Sequence, residues 1–297
     1  MGDRYSALAS VSATRAVLEA HGLATKKSLG QNFLVNDEVI RRICDLSAVG
    51  PEDDVVEVGP GIGTLTVALL AHAHRVCSIE RDPDLPAVLA ETCAPWADRF
   101  TLISNDALAV SPADLPFAPT AFIANLPYAV AATLVLDYFE RFASIERATV
   151  MVQAEVADRM MASPGTKNYG AYTVKLALYA RAVSRFMVAP GNFFPPPHVD
   201  SAVIRLDRCI HPDLTAAERA ACATMADAAF ATRRKTIKNS MRTYFGKVLS
   251  AGDIAALLAA AGIDPRRRGE SLTIDEFKEL GRCACARGIA GRTRGAR

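Results

Sequence analysis

The chain has 297 residues, of which 51% are apolar and 22% charged, with 18 Gly and 16 Pro. That composition excludes a disordered, collagen-like or low-complexity chain, and it leaves enough apolar surface for one large core or two smaller ones without disulfide or metal staples. The net charge of +2 hides a division: residues 1–203 carry 16 Lys/Arg against 22 Asp/Glu, and residues 204–297 carry 18 against 10. A basic C-terminal third on an acidic body points to a polyanionic partner such as nucleic acid, although a well-solvated helical domain would read the same way. No apolar run approaches the length of about 18 residues that crosses a bilayer. The first residues lack the apolar core of a signal peptide, so a cytoplasmic protein is expected. The seven cysteines include no Cys-x-x-Cys pair and the five histidines show no ligand spacing, so no metal is expected and the cysteines read as reduced, packed thiols.

In chain order, residues 1–25 read as a short helix or loose arm. Asn36, then Asp37 and Glu38, then apolar residues at Val39, Ile40, Ile43, Cys44 and Leu46 read as an N-cap, an acidic first turn and a helical period. Residues 54–58, 75–80, 100–103, 121–124 and 148–152 read as five short strands. Residues 64–70, 84–93 and 130–142 read as helices between them. This alternation predicts an α/β domain with a mostly parallel sheet covered on both faces. Residues 183–188 and 202–206 read as two late strands joined by a proline-rich turn, antiparallel at the edge. From His211 the chain reads as helical to about residue 281, and residues 286–297, rich in Gly and Arg, are expected to be disordered. The domain boundary is expected near residue 208.

Glu57-Val58-Gly59-Pro60-Gly61-Ile62-Gly63 follows a strand and opens a helix, a context that favours a nucleotide at the carboxyl end of a sheet. The dinucleotide fingerprint requires its third glycine one position later, where Thr64 stands. A tight turn without a ligand would explain the glycines equally well. Two acids alter the balance. Glu80 ends the second strand, where a carboxylate can accept both ribose hydroxyls. Asp106 follows the third strand, where a carboxylate can accept from an adenine amino group. Each alone reads equally as a helix N-cap. Together, the loop with Gly59 and Gly61, then Glu80, then Asp106, has the layout of a class I S-adenosylmethionine site.

After the fourth strand comes Asn125-Leu126-Pro127-Tyr128. The exocyclic amine of adenine is a poor nucleophile because its lone pair is delocalised into the ring. Acceptors for its amino hydrogens draw the nitrogen towards sp³ and free that pair. The Asn125 side-chain oxygen and the Leu126 carbonyl can both accept, and Pro127 stiffens the turn. Tyr128 offers a ring face to an unstacked base, worth about 1–3 kcal/mol. The alternative is a proline turn with a buried tyrosine. Phe193, in Asn192-Phe193-Phe194-Pro195-Pro196-Pro197, is a candidate for the base's other face. The alternative there is a hydrophobic plug between domains.

The run Lys26-Lys27-Ser28-Leu29-Gly30-Gln31-Asn32-Phe33-Leu34, the glycine loop, Asn125-Leu126-Pro127-Tyr128, the stretch from Phe193 to Ser201, and Arg233-Arg234-Lys235-Thr236-Ile237-Lys238-Asn239-Ser240 occur in that order. Together they resemble the small-subunit ribosomal RNA adenine N6,N6-dimethyltransferases, the kasugamycin-sensitivity enzymes, over residues 25–280. The resemblance implies a Rossmann-like class I S-adenosylmethionine-dependent methyltransferase domain with a seven-stranded sheet, plus a small all-α C-terminal domain. It implies transfer of four methyl groups to two adjacent adenosines near the 3′ end of 16S rRNA during small-subunit maturation. It places Asn32 and Leu34 in the cofactor pocket with Gly59, Glu80, Asp106 and Asn125. It also sets Arg233, Arg234, Lys235 and Lys238 against RNA phosphates.

The expected organisation is an arm over 1–25, a catalytic domain over 26–208, an rRNA-binding helical domain over 209–285 and a basic tail over 286–297. The expected partner is 16S rRNA within the small ribosomal subunit, met by a monomer with no membrane or metal. Phe194 stands where the family commonly has a smaller residue, and the first 24 residues and the tail have no family counterpart. Rival readings are a macrolide-resistance methyltransferase of 23S rRNA, a DNA- and polymerase-binding protein like mitochondrial transcription factor B, and an NAD dehydrogenase. Leu126 and the 233–240 run disfavour the first. Intact Glu80, Asp106 and Asn125 disfavour the second. Thr64 disfavours the third.

Overall fold

The computed structural model describes residues 4–26, 30–211 and 213–289. They form two compact units, Met1–Ala157 with Ala182–Arg208, and Asp158–Arg181 with Cys209–Arg297. The chain therefore crosses between units at 157 and 181 as well as near 208, and residues 158–181 belong with the helical unit rather than with the sheet. The cause is local packing: Tyr169 and Val174 are buried in the helical core, and the Tyr169 hydroxyl donates to the Leu272 carbonyl at 2.9 Å.

The first unit opens with α1 (Val11–Ala20), whose Ser10 cap accepts from the Ala13 N–H at 3.1 Å. Its Leu18 is buried in the main core with Tyr5, Leu8 and Val17 packed beside it, and the Asp37 carboxylate accepts the N–H groups of Tyr5 and Ser6. The described part of the arm is thus docked on the core, with its helix at Val11–Ala20. Next come β1 (Phe33–Leu34), α2 (Asp37–Ser47), β2 (Asp54–Val58), α3 (Thr64–His72), β3 (Arg75–Glu80), α4 (Leu85–Thr92), β4 (Phe100–Ser104), β5 (Ala121–Asn125), α5 (Ala131–Arg141) and β6 (Arg147–Gln153). α6 (Ala154–Met160) and α7 (Ala171–Ala177) precede β7 (Ala180–Val188), β8 (Phe193–Phe194) and β9 (Ser201–Arg208).

Seven strands form one sheet in the order β4-β3-β2-β5-β6-β9-β7. β4, β3, β2, β5 and β6 run parallel, and β9 runs antiparallel to β6. The β-branched run Val55-Val56 and Val58 is buried throughout, as a doubly covered strand requires. Successive strand residues face opposite ways. On one face Val55, Val76, Ala121 and Ile123 join the core with Ile40, Leu65 and Val88 of α2, α3 and α4. On the other, the Phe122 ring stacks on Tyr138 of α5 at 4.7 Å. A separate two-stranded ladder sets β1 against β8, with Leu34 opposite Phe193.

The second unit is completed by α8 (Ala216–Phe230), α9 (Ile237–Phe245), α10 (Ala251–Ala260) and α11 (Ile274–Ala286). Reciprocal capping boxes, Thr215 with Glu218, Ser250 with Asp253 and Thr273 with Glu276, start three of these helices. α8 and α11 approach so closely that a Cβ on Gly281 would lie 2.2 Å from Cys222 Sγ. Ile289 is buried against this core, and residues 290–297 of the expected disordered tail lie outside the described residues. Burial pushes the free thiols of Cys44, Cys77 and Cys93 up to about 12 and that of Cys222 up to about 11. No helix among the described residues is long and apolar enough to cross a membrane.

Candidate active site

The carboxyl ends of β2, β3, β4 and β5, with β1 and the residue before it, bring the expected residues of the first unit other than Phe193 to one cleft. Two adjoining cavities share Gly30, Asn32, Gly59, Glu80, Pro127 and Tyr128. One extends to Leu34, Gly61, Asn125 and Leu126. The other, of about 390 Å³, extends to Asp106. Lys27, Ser28 and Leu29 of the first motif lie outside the described residues.

Gly59 and Gly61 have φ of +69° and +61°, a region that only glycine enters freely. A Cβ on Gly61 would also sit 2.9 Å from the Phe33 ring. At Gly61 the loop is therefore bare backbone lying against Phe33 of β1. Glu80, 8% exposed, accepts the Asp82 N–H at 2.8 Å through Oε1 and the Gly61 N–H at 3.4 Å through Oε2. Burial pushes its carboxyl above the ordinary range, and these backbone donors oppose the rise. It caps no helix, because α4 starts at Leu85 after Asp84. Asp106 caps no helix either, since only a turn follows it: Oδ1 accepts the Leu108 N–H at 3.0 Å across that turn, while Oδ2 lies 3.5 Å from Arg81 Nη1.

Asn125 ends β5, and its Nδ2 donates to the Asn32 carbonyl at 3.2 Å. A carbonyl can only accept, so the amide nitrogen is fixed towards β1 and Oδ1 becomes the free acceptor. The Leu126 N–H donates to the Met151 carbonyl at 3.1 Å. Tyr128 is half-buried, and its hydroxyl lies 2.5 Å from Ser201 Oγ at the start of β9, so the ring is held at both ends. Phe193 is not brought into the cleft wall. It is 3% exposed, packed in the main core and paired with Leu34, which does line the cleft. Phe194 lies beside it under the Arg15 guanidinium, 5.0 Å from the ring centroid.

In the second unit, Arg233 is engaged internally. Its guanidinium pairs with Glu270 at 3.1 Å and donates to the Thr166 and Lys167 carbonyls. Arg234, Lys235 and Lys238 form no ion pair among the described residues.

Glu57 is a wall residue that sequence reasoning passed over, although it stands two positions before Gly59 in the glycine run. It is fully buried, and its Oε2 accepts from both Thr66 Oγ1 and Ser78 Oγ at 2.7 Å. Burial pushes its carboxyl from the ordinary 4.5 to about 7, and the two hydroxyl donors only partly offset that rise. The native state thus holds this proton more tightly than the unfolded chain. The stabilisation is complete below about pH 4.5 and is lost as pH rises towards 7. Glu57→Gln keeps the uncharged shape without the proton. Its unfolding free energy should therefore gain on the native protein's from pH 5 to pH 8, by an amount on the order of 2 kcal/mol. Parallel unfolding curves across that range check this, and a constant difference would remove the role of the Glu57 proton.

A largely parallel sheet with an antiparallel strand between β6 and β7, a glycine loop after β2 and acids at the ends of β3 and β4 define a Rossmann-like class I methyltransferase domain, here joined to a helical unit. The family model described as ribosomal RNA adenine dimethylase matches residues 22–279, and the chain belongs to that family. Proteins named ribosomal RNA small subunit methyltransferase A are its relatives. The one from Streptomyces griseus is 46% identical over 263 residues, covering 87% of this chain and 89% of the relative. The one from Rhodococcus opacus is 41% identical over 281 residues, covering 93% and 94%. Among solved structures, a dimethyladenosine transferase from Plasmodium falciparum shares the fold with a TM-score of 0.73 at 22% identity, over 86% of this chain and 98% of that one. The 23S rRNA methyltransferase ErmE follows with a TM-score of 0.63 at 28% identity, over 85% and 99%.

Proposed function

We propose that the protein dimethylates the N6 amino groups of two adjacent adenosines near the 3′ end of 16S rRNA as the small ribosomal subunit matures. It uses S-adenosylmethionine and acts as a cytoplasmic monomer. The observation that carries this reading is the pinned Asn125 amide, whose donor end is engaged by Asn32 and whose acceptor end is left for an amine. A general nucleotide-binding turn has no need of that arrangement.

The chain's own residues suit the cofactor. Gly59 and Gly61 present a backbone without side chains, the buried Glu80 carboxylate is placed for ribose hydroxyls, and Asp106 stands at the far end for an adenine amine. Asn32 and Leu34 close the cleft from β1. When bound, S-adenosylmethionine supplies a methyl group on a positively charged sulfur, an electrophile strong enough to need no metal. Asn125 Oδ1 and the Leu126 carbonyl orient the target amine and accept from it. Pro127 fixes the turn, and Tyr128 stacks on the extruded base. Arg234, Lys235 and Lys238 track RNA phosphates on the helical unit.

The likeness to ErmE supports a second reading, with 23S rRNA as substrate. Incubation with undermethylated small and large subunits and methyl-labelled cofactor, followed by mapping of the modified bases, separates the two. Label on two neighbouring adenosines near the 16S 3′ end is expected. Label on 23S rRNA would favour the second reading, and no label on either would refute both.

A further inference from the structure

Lys26 and Gln31 belong to a run that reads in sequence only as a basic loop, yet both converge on one buried carboxylate. Asp82 is 2% exposed. Its Oδ2 accepts from Gln31 Nε2 at 2.7 Å, and its Oδ1 accepts from Lys26 Nζ at 2.5 Å and from the Asp84 N–H at 3.1 Å. Gln31 closes the ring by accepting the Lys26 N–H at 2.8 Å, and Lys26 Nζ also reaches Asp84 at 2.5 Å. Two outputs leave this cluster. The Asp82 N–H donates to Glu80 Oε1. The residue after Gln31 is Asn32, whose carbonyl holds the Asn125 amide. Burial alone would raise the Asp82 carboxyl, but the donors from Lys26, Asp84 and Gln31 outweigh it and hold it below the usual carboxylate range. It is therefore ionised at neutral pH.

We propose that Asp82 is a positioning residue that holds Lys26 and Gln31 ahead of β1, and so sets both the Glu80 carboxylate and the Asn125 amide from one point. The proposal rests on the reading of the cleft as a methyl-transfer site. It makes cofactor binding and amine activation depend on a residue that touches neither. Lys26 and Gln31 supply donors only where Asp82 supplies acceptors, so losing either side opens the same ring. A displacement of about 1 Å at a reacting centre costs on the order of 100-fold in rate.

The test compares the native protein with Asp82→Asn, Gln31→Ala and the double variant. Each is measured for KM of S-adenosylmethionine, kcat on undermethylated small subunits, cofactor Kd by calorimetry, and thermal midpoint without ligand. Asp82→Asn keeps the volume and one acceptor oxygen but sets an amide against the Lys26 ammonium. It should raise KM and Kd and lower kcat, each about tenfold, with the fold retained. Gln31→Ala should lower kcat more than it raises KM, because Gln31 leads towards Asn125. The double variant should be little worse than Asp82→Asn, since both changes break one ring. Native-like KM and kcat in folded Asp82→Asn would overturn this role, as would effects of the two changes that simply multiply. Should Asp82→Asn fail to fold, Gln31→Ala and Lys26→Met carry the same comparison, and native-like constants in both would overturn it. A native protein that methylates no subunit would instead refute the functional reading, so the two failures are distinguishable.

Discussion

Asn125→Ala is expected to bind S-adenosylmethionine nearly as well as the native protein while methyl transfer to small subunits falls by roughly 100-fold or more, as for removal of one preorganised polar group at a reacting centre. Oδ1 of Asn125 is the acceptor left free once Nδ2 is held by Asn32. Alanine removes it without disturbing Gly59, Gly61 or Glu80. The amine's lone pair then stays in the adenine ring, and only the Leu126 carbonyl remains to draw it out. The loss should lie in kcat, because the interaction strengthens as the nitrogen becomes tetrahedral. Calorimetry with the cofactor and a tritium-transfer assay measure the two sides. A variant with half the native rate would show that Asn125 is structural. Asn125→Asp is the informative companion, since a carboxylate keeps the acceptor but cannot donate to Asn32.

Neutralising Arg234, Lys235 and Lys238 together should weaken rRNA binding about 10- to 1,000-fold at low salt and flatten the dependence of log K on log salt by about 2 to 3 units, because each phosphate left without its cation keeps its counterion. The prediction separates these three from Arg233. Arg233 pairs with Glu270 and donates to two carbonyls within the helical unit, so Arg233→Ala should lower the thermal midpoint of that unit and leave the salt slope almost unchanged. Filter binding across a salt series, with unfolding curves alongside, checks both halves. An unchanged slope in the triple variant would place the RNA surface elsewhere.

The sheet was legible because its strands are short, apolar and punctuated. Asp54–Val58 and Arg75–Glu80 match their expected limits, and the other strands are extended by a few residues as the ladder continues past the apolar run. The cleft was legible for a related reason. Strand ends are where a parallel sheet delivers side chains, so the glycine loop, Glu80, Asp106 and Asn125 could be placed from sequence order alone. Pairings that join distant parts of the chain left no such mark. The ladder of Phe33–Leu34 with Phe193–Phe194 is two residues long and carries no period. It is what holds Phe193 in the core and out of the cleft wall. Residues 158–181 gave no sign that they pack with the helical unit, since that depends on Tyr169 meeting Leu272. Asp82 read as a loop acid because the donors that define it, Lys26 and Gln31, lie more than 50 positions away.

The sealed thiols give the molecule a built-in record of its own breathing. Cys44, Cys77 and Cys93 lie in one unit and Cys222 in the other, each raised far above the range in which a thiolate reacts. An alkylating reagent reaches them only when the surrounding core opens. Cys222 sits where α8 and α11 come closest, under Gly281, so its labelling rate times the parting of those two helices. The other three time the opening of the sheet and its covering helices, and a single unmodified chain therefore reports the stability of each half separately.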